Sequence, residues 1–332
     1  MATSLAEIRA KLQAQDNRGQ SGSSQGGDNA IYAHWNIPEG TSAKIRFLPD
    51  ANPKNDFFWV ERLMIRLPFA GIKGQSDSKP VVVQVPCVEM YGEACPILAE
   101  VRTWFKDPSL EEMGRKYWKK KSYLFQGFVK DNPLSDDKTP ENPIRRFAIS
   151  PQIFNLIKSA LMDPELESMP TDYTAGLDFT VTKTSKGGYA DYSTSKWSRK
   201  ETALTAQEQA AIDTYGLHNL ADFLPKRPGD VELKVLKEMF EASVDGQAYD
   251  PDRWGQYYKP SGFQNKGGDD DNRTAAAAQP TAAVVTAPAP AETAPFDTDD
   301  GDDAPVATAP VTAKPSSQKA EDILAMIRNR AK

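Results

Sequence analysis

Residues 119–130 read KKKSYLFQGFVK, three lysines followed at once by a segment rich in aromatic and aliphatic residues. A short apolar run of this kind, bounded by polar and turn-forming residues, predicts a β-strand over 122–129. Further strands are predicted at 43–49, 57–60, 80–85 and 179–183. Helical periodicity predicts helices at 96–105, 150–162, 205–215 and 231–240. We therefore expect a mainly β fold with helical insertions (α+β), built on a small antiparallel β-barrel.

Composition divides the 332 residues into four parts. Residues 31–263 contain all six tryptophans and all eleven tyrosines, which is enough apolar mass for the core of one domain. Residues 264–316 are rich in Ala, Pro, Thr and Asp with Phe296 as their one aromatic residue, so we expect a disordered acidic tail. The apolar spacing and the Gly/Ser/Gln-rich composition of residues 1–30 predict a short amphipathic helix followed by a flexible linker. The apolar spacing of residues 317–332 predicts a second amphipathic helix.

Several classes of protein are disfavoured by composition. No apolar run approaches the roughly 20 residues that cross a bilayer, and the first residues lack the pattern of a signal peptide, so we expect a cytoplasmic protein. Two cysteines exclude a disulfide framework, and two histidines argue against histidine-based catalysis. No phosphate-binding loop or other catalytic constellation is recognisable, so we expect a protein that is not an enzyme.

The charges are distributed unevenly along the chain. The formal net charge is −6, yet from Asp269 to Asp303 nine acidic residues accompany one base, Arg273, so this segment carries −8 and the remainder +2. Residues 115–200 contain fifteen bases against ten acids. A basic middle and an acidic tail therefore share one chain, and the acidic total does not exclude a nucleic-acid partner.

Cations alternate with aromatic rings in two segments of the basic middle, 116–125 and 186–200. Single-stranded nucleic acid needs this mixture, because cations neutralise its phosphates while rings stack on the faces of its unpaired bases. The candidate binding residues in these segments and the nearby arginine pair are Lys116, Lys119, Lys120, Lys121, Tyr123, Phe125, Arg145, Arg146, Lys186, Tyr189, Tyr192, Lys196, Trp197, Arg199 and Lys200.

Several segments in this order resemble the T4-type phage helix-destabilising proteins, the gene 32 single-stranded-DNA-binding family. The segments are 43–49, Cys87 to Cys95-Pro96, 119–123, 129–133, 176–179 and 188–197. The resemblance covers about residues 31 to 200 and implies an OB-fold-like core with a basic cleft for single-stranded DNA. Its cleft positions fall on Lys119, Lys120, Lys121, Tyr123, Phe147, Tyr189 and Tyr192. Arg46 and Lys183, in two predicted strands, complete the candidate set.

The chain departs from the family at two places. The family's zinc site uses one histidine and three cysteines, whereas here Cys87 and Cys95 remain, Leu98 stands in the place of the third cysteine and no histidine is near. Two thiolates do not close a tetrahedral site, so we expect no zinc and no other cofactor. The first helix also lacks the family's basic cluster, so its cooperativity residues are expected to be Leu5, Ile8, Arg9, Lys11 and Leu12.

The resemblance implies a protein that coats and protects single-stranded DNA during phage replication, recombination and repair in the cytoplasm of an infected bacterium. It also implies self-association along DNA through the first helix, and recruitment of replication and recombination proteins by the acidic tail, with no membrane partner. Two alternatives stay open on the residues alone. They are an RNA-binding or translational regulatory protein on the same barrel and a metal-dependent nuclease.

Removal of residues 264–332 is expected to raise the affinity for single-stranded DNA more at low salt than at high salt. The acidic segment can reach the basic region, because a coil of some fifty residues spans roughly 40 Å, and salt screens the competition. Fluorescence titration of a dT oligonucleotide with the full-length and truncated proteins measures this difference. Equal affinities at low salt would leave partner recruitment as the role of the tail.

Overall fold

The computed structural model describes residues 30–75, 77–134 and 140–260. The predicted N-terminal helix and linker, including Leu5, Ile8, Arg9, Lys11 and Leu12, the acidic tail and the C-terminal helix lie outside these residues. Within the described part the chain forms nine β-strands and six α-helices, and all strand pairs between named strands are antiparallel. The expectation of an antiparallel β core with helical insertions is confirmed at this level.

Seven strands form one sheet in the order β3-β2-β4-β1-β6-β9, with β5 also paired to β4, and β7 and β8 form a separate hairpin. The strands are β1 Ser42–Phe47, β2 Trp59–Phe69, β3 Val81–Pro86, β4 Lys120–Asp131, β5 Arg145–Ile149, β6 Phe179–Thr182, β7 Thr184–Lys186, β8 Tyr189–Asp191 and β9 Lys196–Trp197. Among the described residues no pairing joins β3 to β9. The expected barrel is therefore corrected to an open sheet with a branch at β4.

Strand β4 is the branch point because both of its edges are used. Tyr123 pairs with Glu61 of β2 and with Ile149 of β5, and Gly127 pairs with Phe47 of β1 and with Arg145 of β5. The part of β4 that pairs with β5 overlaps the parts that pair with β1 and with β2, so β5 must lie on the edge of β4 opposite to both. Strands β1 and β2 therefore follow each other along the other edge. Gly127 permits the close approach of β1, because a Cβ atom there would lie 2.1 Å from the Arg46 carbonyl oxygen.

The helices are α1 Pro96–Trp104, α2 Glu111–Tyr117, α3 Pro151–Leu161, α4 Ala206–Tyr215, α5 Asp230–Val244 and α6 Pro251–Trp254. Short 3-10 helices occupy His34–Asn36, Val88–Tyr91 and Leu220–Phe223. The four predicted helices are confirmed. Their starts follow recognisable signals, such as the Ser150 cap before Pro151 in α3 and the Thr205–Glu208 capping box of α4.

Two apolar clusters form the core. In the helical cluster, alternate residues of β2, such as Leu63, Ile65 and Leu67, pack with β3 against α1, α2, α5 and α6. In the strand cluster, β1, β4, β5 and β6 surround the Phe47 ring and are covered by α3. Because β2 contributes to one cluster and pairs with β4 of the other, the two clusters are joined through a continuous sheet.

Strand β2 is much longer than the predicted strand 57–60, and it continues through Pro68 opposite Val82. The Pro68 carbonyl accepts a hydrogen bond from Ser243 Oγ of α5 at 2.5 Å. This carbonyl therefore points away from β3, towards α5. Because the N–H and C=O of one strand residue point to the same side, the N–H that Pro68 lacks would also face away from β3. A proline therefore fits here, because β2 has already passed the end of its pairing with β4.

Arg46 of β1 is a structural residue, which corrects its assignment to DNA. Its side chain is fully buried, and its guanidinium lies 2.8 Å from Asp178 Oδ1 and donates from Nη1 to the Thr202 carbonyl at 2.9 Å. Asp178 in turn exchanges hydrogen bonds with Ser198. This network ties β1 to the segment that follows β9.

Replacement of Asp178 by Ala is expected to destabilise the fold by about 3–5 kcal/mol, because it leaves the buried Arg46 guanidinium without its counter-charge. Chemical denaturation of the purified variant measures the loss. The matched control is Lys237→Ala, which removes an exposed ion pair to Glu241 and should change the free energy of unfolding by less than about 1 kcal/mol. Equal stability of the two variants would show that the buried pair does not anchor the fold.

Candidate nucleic-acid interface

The two ring-and-cation segments of the sequence, 116–125 and 186–200, meet at helix α3. The Tyr123 ring of β4, which is 9% exposed and belongs to the strand cluster, stacks on the buried Phe154 of α3 with centroids 3.5 Å apart and planes 10° from parallel. Two residues earlier in α3, Gln152 Nε2 donates to Asp191 Oδ1 at 2.6 Å, and Gln152 Oε1 accepts from the Tyr192 backbone N–H at 3.0 Å. Helix α3 therefore holds β4 on one side and the end of the β7–β8 hairpin on the other.

The three lysines before Tyr123 point to different surroundings. Lys121 lies opposite Leu63 and shares a sheet face with Tyr123, since alternate residues of a strand share a face. Lys120 belongs to the other face, where its neighbour Ser122 accepts a hydrogen bond from Arg62 Nε at 3.0 Å. Of the two lysines that begin β4, Lys121 lies on the sheet face of the Tyr123 ring.

Lys119 forms an ion pair with Glu89, with 2.8 Å between Lys119 Nζ and Glu89 Oε2. The same Lys119 Nζ lies over the ring of Trp118. Lys116 is exposed at the end of α2, close to the Tyr117 ring. Both residues therefore border the helical cluster rather than α3.

The β7–β8 hairpin presents one cation and one ring at its tip. Lys186 pairs with Tyr189 across the hairpin, and both side chains are exposed, Tyr189 by 67%. Gly187 and Gly188 supply the turn with φ of 63° and 86°, the left-handed values that a tight two-residue hairpin requires. The tip therefore places an exposed cation beside an exposed ring.

The base of the hairpin is anchored by Asp191. Hydrogen bonds from Ser193, Gln152 and Thr184 lower the pKa of its carboxyl group, that from the Ser193 side chain most strongly. The carboxylate therefore stays charged over the neutral range and keeps its hydrogen bonds to α3 and β7. This fixes the direction in which the hairpin leaves the sheet.

Tyr192, although only three residues from Tyr189, is part of the core. It is 8% exposed, packs edge-on against the buried His34 ring at 5.8 Å, and burial raises its pKa to about 12. Burial also lowers the pKa of His34 to about 4, so this imidazole is neutral beside Lys183, which donates to the Trp35 carbonyl. Tyr192 and Lys183 thus support the base of the hairpin from inside.

The segment after β9 carries exposed cations on a fixed backbone. Lys196, Arg199 and Lys200 are exposed, whereas the Trp197 ring between them packs on Phe179 with centroids 5.0 Å apart. The Ser198 N–H donates to the Asp178 carbonyl at 2.8 Å. Trp197 therefore anchors the segment while its neighbours reach solvent.

Four further predicted contacts lie elsewhere. Phe125 and Phe147 are fully buried in the strand cluster, so their assignment to DNA is corrected to a core role. The Arg145 guanidinium lies over the Tyr32 ring, and the side chain is buried. The Arg146 guanidinium lies 3.9 Å from the centre of the Phe223 ring, on the sheet face opposite Lys121.

The structure adds rings that sequence reasoning did not select as contacts. Phe57 is 58% exposed, its ring lies 4.7 Å from that of Trp59, and Trp59 contacts Phe154 at 5.3 Å. In the sequence, the run Phe57-Phe58-Trp59 predicts only a strand. The sequence offers one signal for an exposed ring here, which is three consecutive aromatic residues directly after a polar turn. A strand with one buried face can bury only alternate members of such a run.

Cys87 and Cys95 lie buried side by side at the start of α1, and Leu98 is buried with them in the helical cluster. The hydrogen bond between the thiols lowers the pKa of Cys95 to about 6, helped by the first amides of α1, and together with burial it raises the pKa of Cys87. Among the described residues no group of three or more His, Cys, Asp or Glu side chains could hold a metal ion.

Comparison with known proteins leaves the family resemblance as an expectation. No protein-family model matches the chain, and no curated protein matches it. In the part of the chain that the structure describes, every helix is too short or too polar to cross a membrane.

Tyr189→Ala is expected to weaken binding of single-stranded DNA by about 1–3 kcal/mol with little change in folding stability, because its ring is exposed. Tyr192→Ala should instead destabilise the fold by about 3–5 kcal/mol, as removal of a buried ring does. Oligonucleotide titration and thermal unfolding of each variant separate the two roles. Tyr215→Ala, which removes an exposed ring at the end of α4, is the matched control and should change neither quantity. A stable Tyr189→Ala variant with unchanged affinity would remove the hairpin tip from the interface.

Proposed function

We propose that this protein binds single-stranded DNA along a surface that runs from Lys121 across α3 to the β7–β8 hairpin, with the buried Tyr123–Phe154 stack beneath it. The observation that carries the proposal is the pair of contacts made by α3, the Tyr123–Phe154 stack and the Gln152 hydrogen bonds to the hairpin base. They make two distant segments, each mixing rings and cations, into neighbours.

The chemistry of this surface suits an unpaired strand. Exposed cations surround α3 and the hairpin, and they are Lys158, Lys186, Lys196, Arg199 and Lys200. Such groups neutralise phosphates regardless of sequence, and exposed rings stack on any base. A duplex hides its base faces, so the rings contribute only when the strand is single. We therefore propose coating of single strands without strong sequence preference.

The wider role rests on the family resemblance. We propose an OB-fold-like origin for the sheet, since OB-folds are partly open Greek-key barrels that bind oligonucleotides on their sheet face and loops. In this role the protein protects single-stranded DNA during phage replication, recombination and repair in the host cytoplasm. The first helix would support self-association along DNA, and the acidic tail would recruit replication proteins.

We propose a binding role without catalysis. A ring-and-cation surface does not by itself distinguish deoxyribose from ribose, so a matched RNA oligonucleotide belongs in every titration. Incubation of labelled single strands with Mg²⁺ tests the nuclease alternative, since strand cleavage would replace the binding role by an enzymatic one.

The full-length protein is expected to bind a dT oligonucleotide more tightly than a duplex of equal length, with an affinity that falls steeply with salt. Each phosphate neutralised contributes about −0.7 to the slope of log affinity against log salt. Lys186→Gln, Arg199→Gln and Lys200→Gln should each make the slope shallower by up to about that amount. Lys106→Gln, an exposed cation after α1, is the matched control and should leave the slope unchanged. Equal affinity for duplex, or a slope near zero, would refute the proposal.

A further inference from the structure

We propose that the Phe57 ring is a further base-stacking position, at the end of a row of rings that extends the surface beyond Tyr123. This inference rests on the proposed function and assigns it a specific additional residue. Phe57 and Tyr189 are the two aromatic side chains more than half exposed among the described residues. Tyr189 marks the hairpin end of the surface, and Phe57 marks the other end.

The rings between Phe57 and Tyr123 are in continuous contact. Phe57 and Trp59 have centroids 4.7 Å apart with planes at 32°, Trp59 meets Phe154 edge-on at 5.3 Å, and Phe154 stacks on Tyr123. The register of β2 on β4 places Trp59 on the same sheet face as Tyr123 and Lys121. The row therefore runs from the exposed Phe57 ring through the half-buried Trp59 to the buried Phe154 and Tyr123, and it connects Phe57 by packing to the helix that carries the candidate interface.

The Phe57 ring is presented by a rigid turn. The Phe57 N–H donates to Asn55 Oδ1 at 3.1 Å, and Asn55 Nδ2 donates to Asp50 Oδ2 at 2.7 Å and to the Trp59 carbonyl at 3.1 Å. Asp50 also accepts from the Leu220 N–H at 3.0 Å, which ties the turn to the rest of the fold. A ring held in place loses little conformational entropy on binding, so it is well suited to stack on a ligand.

The charges near Phe57 identify which part of a nucleotide it meets. Asp56 and Glu61 are exposed close to the ring in sequence, and Glu61 pairs with Tyr123 across the sheet. These carboxylates repel phosphates, whereas Lys54 in the same turn and Lys121 attract them. The position therefore takes a base, with the phosphates directed towards the lysines.

Abasic substitution along a dT oligonucleotide tests the pairing of one base with this ring. In the wild-type protein, single abasic sites should lower the affinity at each position whose base stacks, by roughly 5- to 150-fold. In Phe57→Ala the affinity for the intact strand should fall by a similar factor, and one of those positions should lose its sensitivity, because its ring partner is gone. The Phe57→Trp variant keeps a ring at this position, so it should retain both the affinity for the intact strand and the sensitivity at that abasic position.

The controls separate this inference from the function on which it rests. Tyr189→Ala should remove sensitivity at a different position, and Tyr215→Ala at none. If Phe57→Ala binds every oligonucleotide as the wild type does while Tyr189→Ala is weakened, the Phe57 position is wrong and the function stands. A uniform loss in a stable Phe57→Ala protein, with all abasic sensitivities retained, also overturns the stacking role. If the wild type does not prefer single strands to duplex, the proposed function itself fails.

Discussion

Strand β4 pairs with β1 and β2 along one edge and with β5 along the other, and the rest of the described structure depends on this arrangement. It requires a strand of twelve residues and a glycine where β1 approaches most closely. The same pairing joins the helical and strand clusters into one sheet. It also fixes which side chains of the lysine-rich start of β4 share the face of Tyr123, because side chains alternate along a strand.

Helix α3 turns this sheet into a surface with two ends. Its apolar side, including Ile153 and Ile157, is buried against the strand cluster, while Phe154 and Gln152 each contact a different neighbouring element. The rings around it are held by packing and the cations near it are exposed. This division suits a ligand whose bases need firm platforms and whose phosphates need only nearby charge, since stacking is directional and screened Coulomb attraction is not.

Burial, more than residue type, separates supporting residues from candidate contacts. Arg46, Phe125 and Phe147 have the chemistry of nucleic-acid contacts, yet they are buried in the core. Tyr192 and Trp197 lie beside exposed candidate contacts and hold the backbone that carries them. The acidic total charge of the chain is similarly uninformative, because the charge that a ligand meets depends on which cations share a surface.

The sequence by itself determined the elements with local signals. Periodic apolar residues and caps predicted α1, α3, α4 and α5, and short apolar runs bounded by turn residues predicted parts of β1, β2, β3, β4 and β6. Helix α2, whose residues show no apolar period, and β5, which begins with two arginines, depend on contacts with distant segments and were not predicted. The ring-and-cation composition of the candidate surface was also visible in the sequence, although Phe57 was not selected. Only the tertiary structure decided which rings are exposed and that two segments meet at α3, because burial is set by packing between residues far apart in the chain.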